Sequence, residues 1–409
     1  MGEHNITFAV WDATYLATRL KQESKLVDDF FGRHYAMAFC GEEAAAALKE
    51  RLDAHQVIEY RTKLRHLYQS IFNKHDPGIP VRPQLGGAEI PLAERYVIVD
   101  VVVENVTCVA PQPEAAAERA AKNAEPSFAT ENRGTTIRSA SGKTRRYTAK
   151  MPMDAWLSQS DLSIILGIPG SGKSALLRFL ALDLLSEAPS LPRVRAHWSS
   201  LLPVWIPFAY WTKLVAAGPA SSLIDSLRSW FHELDEDELW PLVERAMGDE
   251  RLLLPVDGWD EWTSEDAGRI ASQRLQVFIE SRHVAAVIVS RPYGFQRIPV
   301  HGLGWQLAEI AQLSDGQRKE LCSKWMYIHE ARGDQPTHSA TAERASRAAN
   351  QTQKFIDEIE RSMDLDELSR VPLLLLLLLY LHIEGATLPH RRFQAYEYLI
   401  DHLLKWRVG

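Results

Sequence analysis

The sequence predicts an α/β chain built on a parallel sheet with helices on both faces, preceded by a mostly helical region and followed by another. Two observations carry this. After Met151 short apolar runs alternate with longer amphipathic ones, the pattern of strand and helix in a parallel sheet. One of those junctions is a glycine-rich turn between an apolar run and a helical one, Gly167–Ser174.

Residues 1 to about 75 read as helical. Apolar residues recur at three- and four-residue spacing through Leu16, Leu20, Leu26 and Phe30, and again through Leu48, Leu52, Val57, Tyr60, Leu64, Leu67 and Ile71. Pro77, Gly78 and Pro80 interrupt the pattern, and Tyr96–Val103, rich in β-branched residues, reads as a strand. The N-terminal region is therefore taken as 1–110. From Pro111 to Lys150 large apolar residues are few. Arg133, Arg138, Lys143, Arg145, Arg146 and Lys150 fall between Asn132 and Met153 without an acid, so 111–150 reads as a solvated linker rather than a phosphate- or nucleic-acid-binding arm.

Strands are expected at Leu162–Leu166, Val204–Phe208, Leu252–Asp257 and Val284–Ser290, within a core spanning 151–312. Beyond Gln312 the segments are helical. Leu313-Ser-Asp-Gly-Gln317 looks like the signature of transporter ATPases, but that signature precedes the second acidic strand and here it follows Asp257. It reads as a helix N-cap at Ser314 or Asp315. Glu233–Glu238 reads as a solvated helix start, and the twelve tryptophans as core.

The balance of 46% hydrophobic and 24% charged residues is that of a globular protein. A net charge of −7 excludes a global basic field for nucleic acid and leaves a local one open. Cys40, Cys108 and Cys322 form no CxxC pair, which excludes a cysteine zinc site and suits a reducing, cytoplasmic compartment. The apolar run Val371–Leu381 is shorter than the about 20 residues a bilayer span requires, so a buried helix is expected and no membrane segment.

Gly167-Ile168-Pro169-Gly170-Ser171-Gly172-Lys173-Ser174 matches GxxxxGK[ST] at every position, and Ala175 opens the helical run behind it. The glycines let backbone N–H groups wrap phosphates at the positive end of a helix. Lys173 would reach the β- and γ-phosphates of ATP or GTP, and the Ser174 hydroxyl would take a position on Mg2+. Asp257, at the end of an apolar strand expected beside the loop strand, would hold the metal. Asp260 and Glu261 follow one turn on, either able to orient or deprotonate an attacking water. Pro255 inside that strand removes a ladder donor and implies an edge or a kink. Arg291 ends the next strand, where it could meet the γ-phosphate.

Together IILGIPGSGKSALLRFLALDLL, LLLPVDGWDEW and VIVSRPYGF resemble the NACHT family of signal-transduction P-loop NTPases, over about residues 151–409. Asp257–Glu261 matches the family's Asp-Gly-x-Asp-Glu, and Ser290–Pro292 its Ser-Arg-Pro. Leu313–Trp325 is similar to the start of the family's helical domain and Ala395–Arg407 to a later helix, so 313–409 is expected to hold that domain and the start of a winged helix. Arg370–Leu375 is similar to the family's nucleotide-contacting turn, which gives Pro372 a place against the base. Pro255, Arg370 and Ser174 depart from the commoner residues.

The resemblance implies an ATP-dependent switch that forms homo-oligomers on activation, has a sensor ligand and an effector, and in bacteria acts against phage. It also implies a sensor beyond this chain, so a piece of a longer protein is expected. Two other readings are a remodelling ATPase of the AAA+ type and a scaffold that binds nucleotide without hydrolysis.

Overall fold

A computed structural model describes residues 13–22, 27, 38–41, 54–73, 84–85, 88–108, 134–139, 142–218, 222–300, 302, 304–331, 338–389, 391, 393–398 and 400. The N-terminal part holds α1 (Ala13–Gln22), α2 (Ala54–Asn73), a small hairpin of β1 (Gln84–Leu85) and β2 (Ala88–Glu89), and α3 (Leu92–Arg95). Then come β3 (Asp100–Cys108), β4 (Gly134–Ser139), β5 (Gly142–Pro152) and α4 (Met153–Leu157). The central part runs β6 (Leu162–Leu166), α5 (Lys173–Leu184), α6 (Pro192–Trp198), β7 (Leu202–Pro203), β8 (Ile206–Pro207), α7 (Phe208–Ala217), α8 (Leu223–Glu233) and α9 (Trp240–Gly248). It continues with β9 (Leu252–Asp257), α10 (Glu265–Arg282), β10 (Ala285–Ser290), α11 (Pro292–Arg297) and β11 (Trp305–Ile310). Helices α12 (Asp315–Glu330), α13 (His338–Glu360), α14 (Met363–Ser369) and α15 (Pro372–Ile383) follow, and residues 393–398 are helical.

Among the described residues nine strands form one sheet in the order β4-β5-β3-β11-β6-β10-β9-β7, with β8 also on β9. From β11 to β7 and β8 all pairs are parallel. The chain passes from β6 through α5 to β7 in one direction across the sheet, and returns through α10 and α11 in the other. Right-handed crossovers then place α5 on one face and α10 with α11 on the opposite face. The central strands β9 and β10 are buried on both sides: every residue of each is buried, which is why these runs read as unbroken apolar sequence.

Four parts of the sheet differ from expectation. The stretch 111–150, expected as a linker, holds β4 and most of β5, which pair antiparallel with each other and extend the sheet through β3. An antiparallel strand needs apolar residues on at most one face, so alternation with Arg, Lys and Thr conceals it. The strand expected at Tyr96–Val103 begins only at Asp100. The one expected at Val204–Phe208 is reduced to β8, with β7 just before it and Val204 and Trp205 in the break between them, and Phe208 already starts α7. β11 carries no long apolar run and was not anticipated.

The break between β7 and β8 accounts for Pro255. Leu202 and Val204 donate their N–H groups to the carbonyls of Arg251 and Leu253 (2.7 and 2.8 Å), so the odd-numbered residues of β9 face β7 and β8. Pro255 continues that series, and its missing N–H falls at the gap between the two short strands. The strand is therefore not an edge; its partner is interrupted where it has nothing to offer.

Helix α2 presents Leu64, Tyr68 and Phe72 at four-residue spacing, all buried, and packs this stripe against α5 and the β7–β8 break. At the other end α12 is capped as expected: Ser314 accepts the Gln317 N–H and the Gln317 side chain accepts the Ser314 N–H. Arg318, 2% exposed, donates to Asp366 (2.6 Å), Ser369 (2.6 Å) and Asp315 (2.8 Å) and so ties α12 to α14. Arg370 pairs with Asp366 at 3.0 Å, and its carbonyl accepts the Leu313 N–H. The leucine run forms α15 with Leu375–Leu379 and Leu381 buried, and no described helix is long and apolar enough to cross a membrane. The acidic run around Glu236 is a helix end, a turn through Asp235 (φ 56°) and a short 3-10 turn rather than a helix start. Residues 401–407 of the later helix lie outside the described residues.

Candidate functional site

The glycine-rich loop leaves β6 at Gly167, whose N–H donates to the Ser290 carbonyl of β10 (3.1 Å). Gly170 (φ 77°) and Gly172 (φ 91°) adopt the left-handed backbone that side chains avoid, and Gly172 caps α5. A Cβ on Gly170 would lie 2.9 Å from that of Leu373, and the Leu373 N–H donates to the Gly170 carbonyl (3.1 Å), so the start of α15 rests directly on the loop. Lys173, the first residue of α5, donates to the Gly167 and Ile168 carbonyls (2.9 and 3.0 Å), and burial lowers its pKa. The next residue, Ser174, donates its hydroxyl to Asp257 Oδ1 at 2.7 Å.

Asp257 ends β9. Its strand is not adjacent to β6, as the sequence reading expected: β10 lies between them, so the carboxylate reaches Ser174 across the end of an intervening strand. The side chain is 7% exposed, and burial raises its pKa, opposed first by Arg178 and then by the Ser174 hydrogen bond. Beyond it Gly258 (φ 69°) starts a turn closed by the Glu261 N–H on the Gly258 carbonyl (2.8 Å). Trp259 anchors this turn: it is fully buried, stacks on Phe208 at 4.1 Å, and donates its indole N–H to Ile298 (2.8 Å).

With Trp259 fixed, the two following carboxylates part company. Asp260 accepts the Arg291 backbone N–H (2.9 Å) and lies 3.2 Å from the Arg291 Nε. Gly294 makes room for it, since a Cβ there would come within 2.1 Å of the Asp260 Cβ. Glu261 lies against Gly258, where an added Cβ would sit 2.9 Å from Oε2. Burial raises the Glu261 pKa, helped by the nearby Asp260 and Asp257 charges.

These groups open onto one cleft of about 430 Å³. Pro169–Ala175, Asp257, Asp260, Glu261 and Arg291 line it, and so does Pro372. Gly167 and Ile168 do not; they offer their carbonyls to Lys173 instead. Its apolar lining was not legible in the sequence. It combines Tyr96, Val97 and Val99 with Leu321, Trp325 and Leu376, brought together from both flanks of the core. Nothing local marks these residues, because each is an ordinary apolar position of its own segment. Arg178 was also missed, although four-residue spacing from Ser174 puts both on one face of α5. Among the described residues no three His, Cys, Asp or Glu side chains gather into a metal cage.

The strand, loop and helix at Gly167–Ser174, and an acid-tipped strand one place removed, make this a P-loop NTPase fold. No family profile matches the sequence, and no curated protein does. Among solved structures the chain is similar to Caenorhabditis elegans PCH-2, at 14% identity and a TM-score of 0.27, over 55% of this chain and 62% of that one. It is also similar to domain III of the Thermotoga maritima replication initiation protein DnaA, at 13% identity and a TM-score of 0.26, over 62% of this chain and 88% of that one. The chain thus spans less than two thirds of the PCH-2 chain. Both likenesses are distant, and the functional reading rests on the geometry of the site.

Proposed function

We propose that the chain binds ATP or GTP with Mg2+ in this cleft and hydrolyses it slowly, as a nucleotide-dependent signalling switch of the NACHT kind. The observation that carries the reading is the 2.7 Å contact between Ser174 Oγ and Asp257 Oδ1, two hard oxygen donors brought together from the loop and the acidic strand. Mg2+ prefers one or two protein oxygens completed by phosphate and water, and this pair fits that demand. A bound Mg2+ would neutralise charge on the phosphate oxygens. Lys173 exchanges its two loop carbonyls for the β- and γ-phosphates, and Arg291, braced by Asp260, faces the γ-phosphate. Glu261 orients the attacking water. Pro372 and the apolar lining hold the base.

The contact of Leu373 with Gly170 supports the switch, because the helical region then feels the state of the loop directly. Homo-oligomers, a sensor ligand, an effector and a role in antiviral defence extend the reading through the NACHT resemblance. A remodelling ATPase of the AAA+ type would use the same cleft, and differs in sustained turnover coupled to a substrate. Glu261→Gln tests the proposal. A group acting only in the transition state changes turnover and not ground-state affinity. The variant should bind ATP as the wild type does, hydrolyse it about 10²-fold more slowly or worse, and accumulate as an oligomer in size-exclusion chromatography. Unchanged turnover would remove Glu261 from the mechanism, and tight ATP binding without any oligomer would remove the switch.

A further inference from the structure

Asp257 has a second partner besides Ser174. Arg178, one turn along α5, brings Nη2 to 3.5 Å from Asp257 Oδ2 while Ser174 holds Oδ1. The guanidinium is largely enclosed. Its Nε and Nη1 are buried and meet no hydrogen-bond acceptor among the described residues. They are covered by rings instead: the Arg178 Cζ lies 5.9 Å from the centre of Phe72 and 5.5 Å from that of Trp205, and the two rings meet edge to face. Enclosing a cation with part of its hydrogen-bonding capacity unmet is costly, and burial works against its charge. Among the described residues the ionic contact that this arrangement keeps is the one to Asp257.

The rings come from two different parts of the chain. Trp205 lies in the break between β7 and β8. Phe72 belongs to α2, far upstream of the loop. Tyr68, one turn before Phe72, stacks on it at 4.9 Å and spans the break: its hydroxyl donates to the Pro203 carbonyl and accepts the Trp205 N–H, both at 3.0 Å. A continuous run of contacts therefore leads from α2 through Trp205 and Arg178 to the carboxylate in the cleft.

We propose that Arg178 is a positioning residue that holds the Asp257 carboxylate in register with Ser174 for a divalent cation, and that α2 sets the place of Arg178 through Phe72. The N-terminal region thereby governs how well the cleft takes Mg2+ with a nucleotide. This rests on the Mg–nucleotide reading of the site.

The test measures ADP affinity of the full chain by calorimetry, once with saturating Mg2+ and once in EDTA; the ratio is the gain due to the metal. Arg178→Met should cut that gain about 10- to 100-fold, the usual effect of losing a group that orients a metal ligand, and leave the affinity in EDTA unchanged. Arg178→Lys restores the charge and should recover most of the gain. Phe72→Leu keeps an apolar side chain and removes the ring face, so the gain should fall about two- to thirtyfold. Equal losses with and without Mg2+ would make Arg178 merely structural, and an undiminished gain in Arg178→Met would overturn the proposal. An unaltered gain in Phe72→Leu would overturn the link to α2. If thermal melting shows that Arg178→Met does not fold, Arg178→Lys and Phe72→Leu decide: both must fold, the first near the wild-type gain and the second below it, and any other pair of gains overturns the proposal. Absence of ADP binding by the wild-type chain would instead sink the nucleotide reading itself.

Discussion

Asp260→Ala separates the two carboxylates that follow Asp257. In the structure Asp260 takes both the backbone N–H and the Nε of Arg291, at 2.9 and 3.2 Å. The Arg291 side chain is 52% exposed, so the ion pair contributes under about 1 kcal/mol to stability. The backbone hydrogen bond adds about 1 kcal/mol. The variant should therefore fold and melt slightly early. Its main effect should fall on ligand choice. A hydrogen bond from a charged group is worth about 1.5–3 kcal/mol, or roughly 10- to 150-fold in affinity, and only a triphosphate offers Arg291 a γ-phosphate. Arg291→Ala should lose the preference for ATP over ADP by up to that factor, and Asp260→Ala should lose much of it because the guanidinium is no longer held. The double variant should resemble Arg291→Ala alone, since the two act as a unit. Competition titrations with ADP and a slowly hydrolysed ATP analogue supply the cycle. Additive losses, or an intact preference in Asp260→Ala, would refute the brace. Normal discrimination with turnover lost in Asp260→Ala would make Asp260 the water-orienting group in place of Glu261.

Two further outcomes follow from the loop. Asp257→Ala should abolish most of the Mg2+-dependent gain in nucleotide affinity and leave binding in EDTA nearly intact, because in the proposed mechanism the carboxylate acts through the ion; equal responses in the two titrations would deny it that role. Gly170→Ala places a Cβ against Leu373 in a left-handed backbone, so it should destabilise the chain by about 1–3 kcal/mol and free the start of α15, read as a lower melting temperature and earlier proteolysis near Pro372; an unshifted melting curve would contradict the close approach.

The parts that were legible were those where chemistry and burial coincide. β6 and β9 appear at the bounds their sequences suggested, because a strand buried on both faces must be apolar throughout and each ends at a glycine or an acid the site requires. Ser314 was legible as a cap because capping is local. β4, β5 and β11 were not, since short or half-polar strands carry no such signature. The order of β6, β10 and β9 is a tertiary fact, and a strand's own residues do not name its neighbour. The same holds for the roles of Asp260 and Glu261, which depend on where Arg291 and Gly294 lie, and for the contact of Leu373 with Gly170.

The central claim is that Gly167–Ser174 cradles nucleotide phosphates, and titration of the wild-type chain and Lys173→Ala with Mg·ATP tests it most directly. Among the described residues the Lys173 amine bonds only to the Gly167 and Ile168 carbonyls, so the substitution should leave the melting temperature close to wild type. The wild type should bind one nucleotide per chain, and the variant should bind roughly 10- to 150-fold more weakly, the loss of one charge-assisted contact to phosphate. Equal affinity in a folded variant would contradict the account.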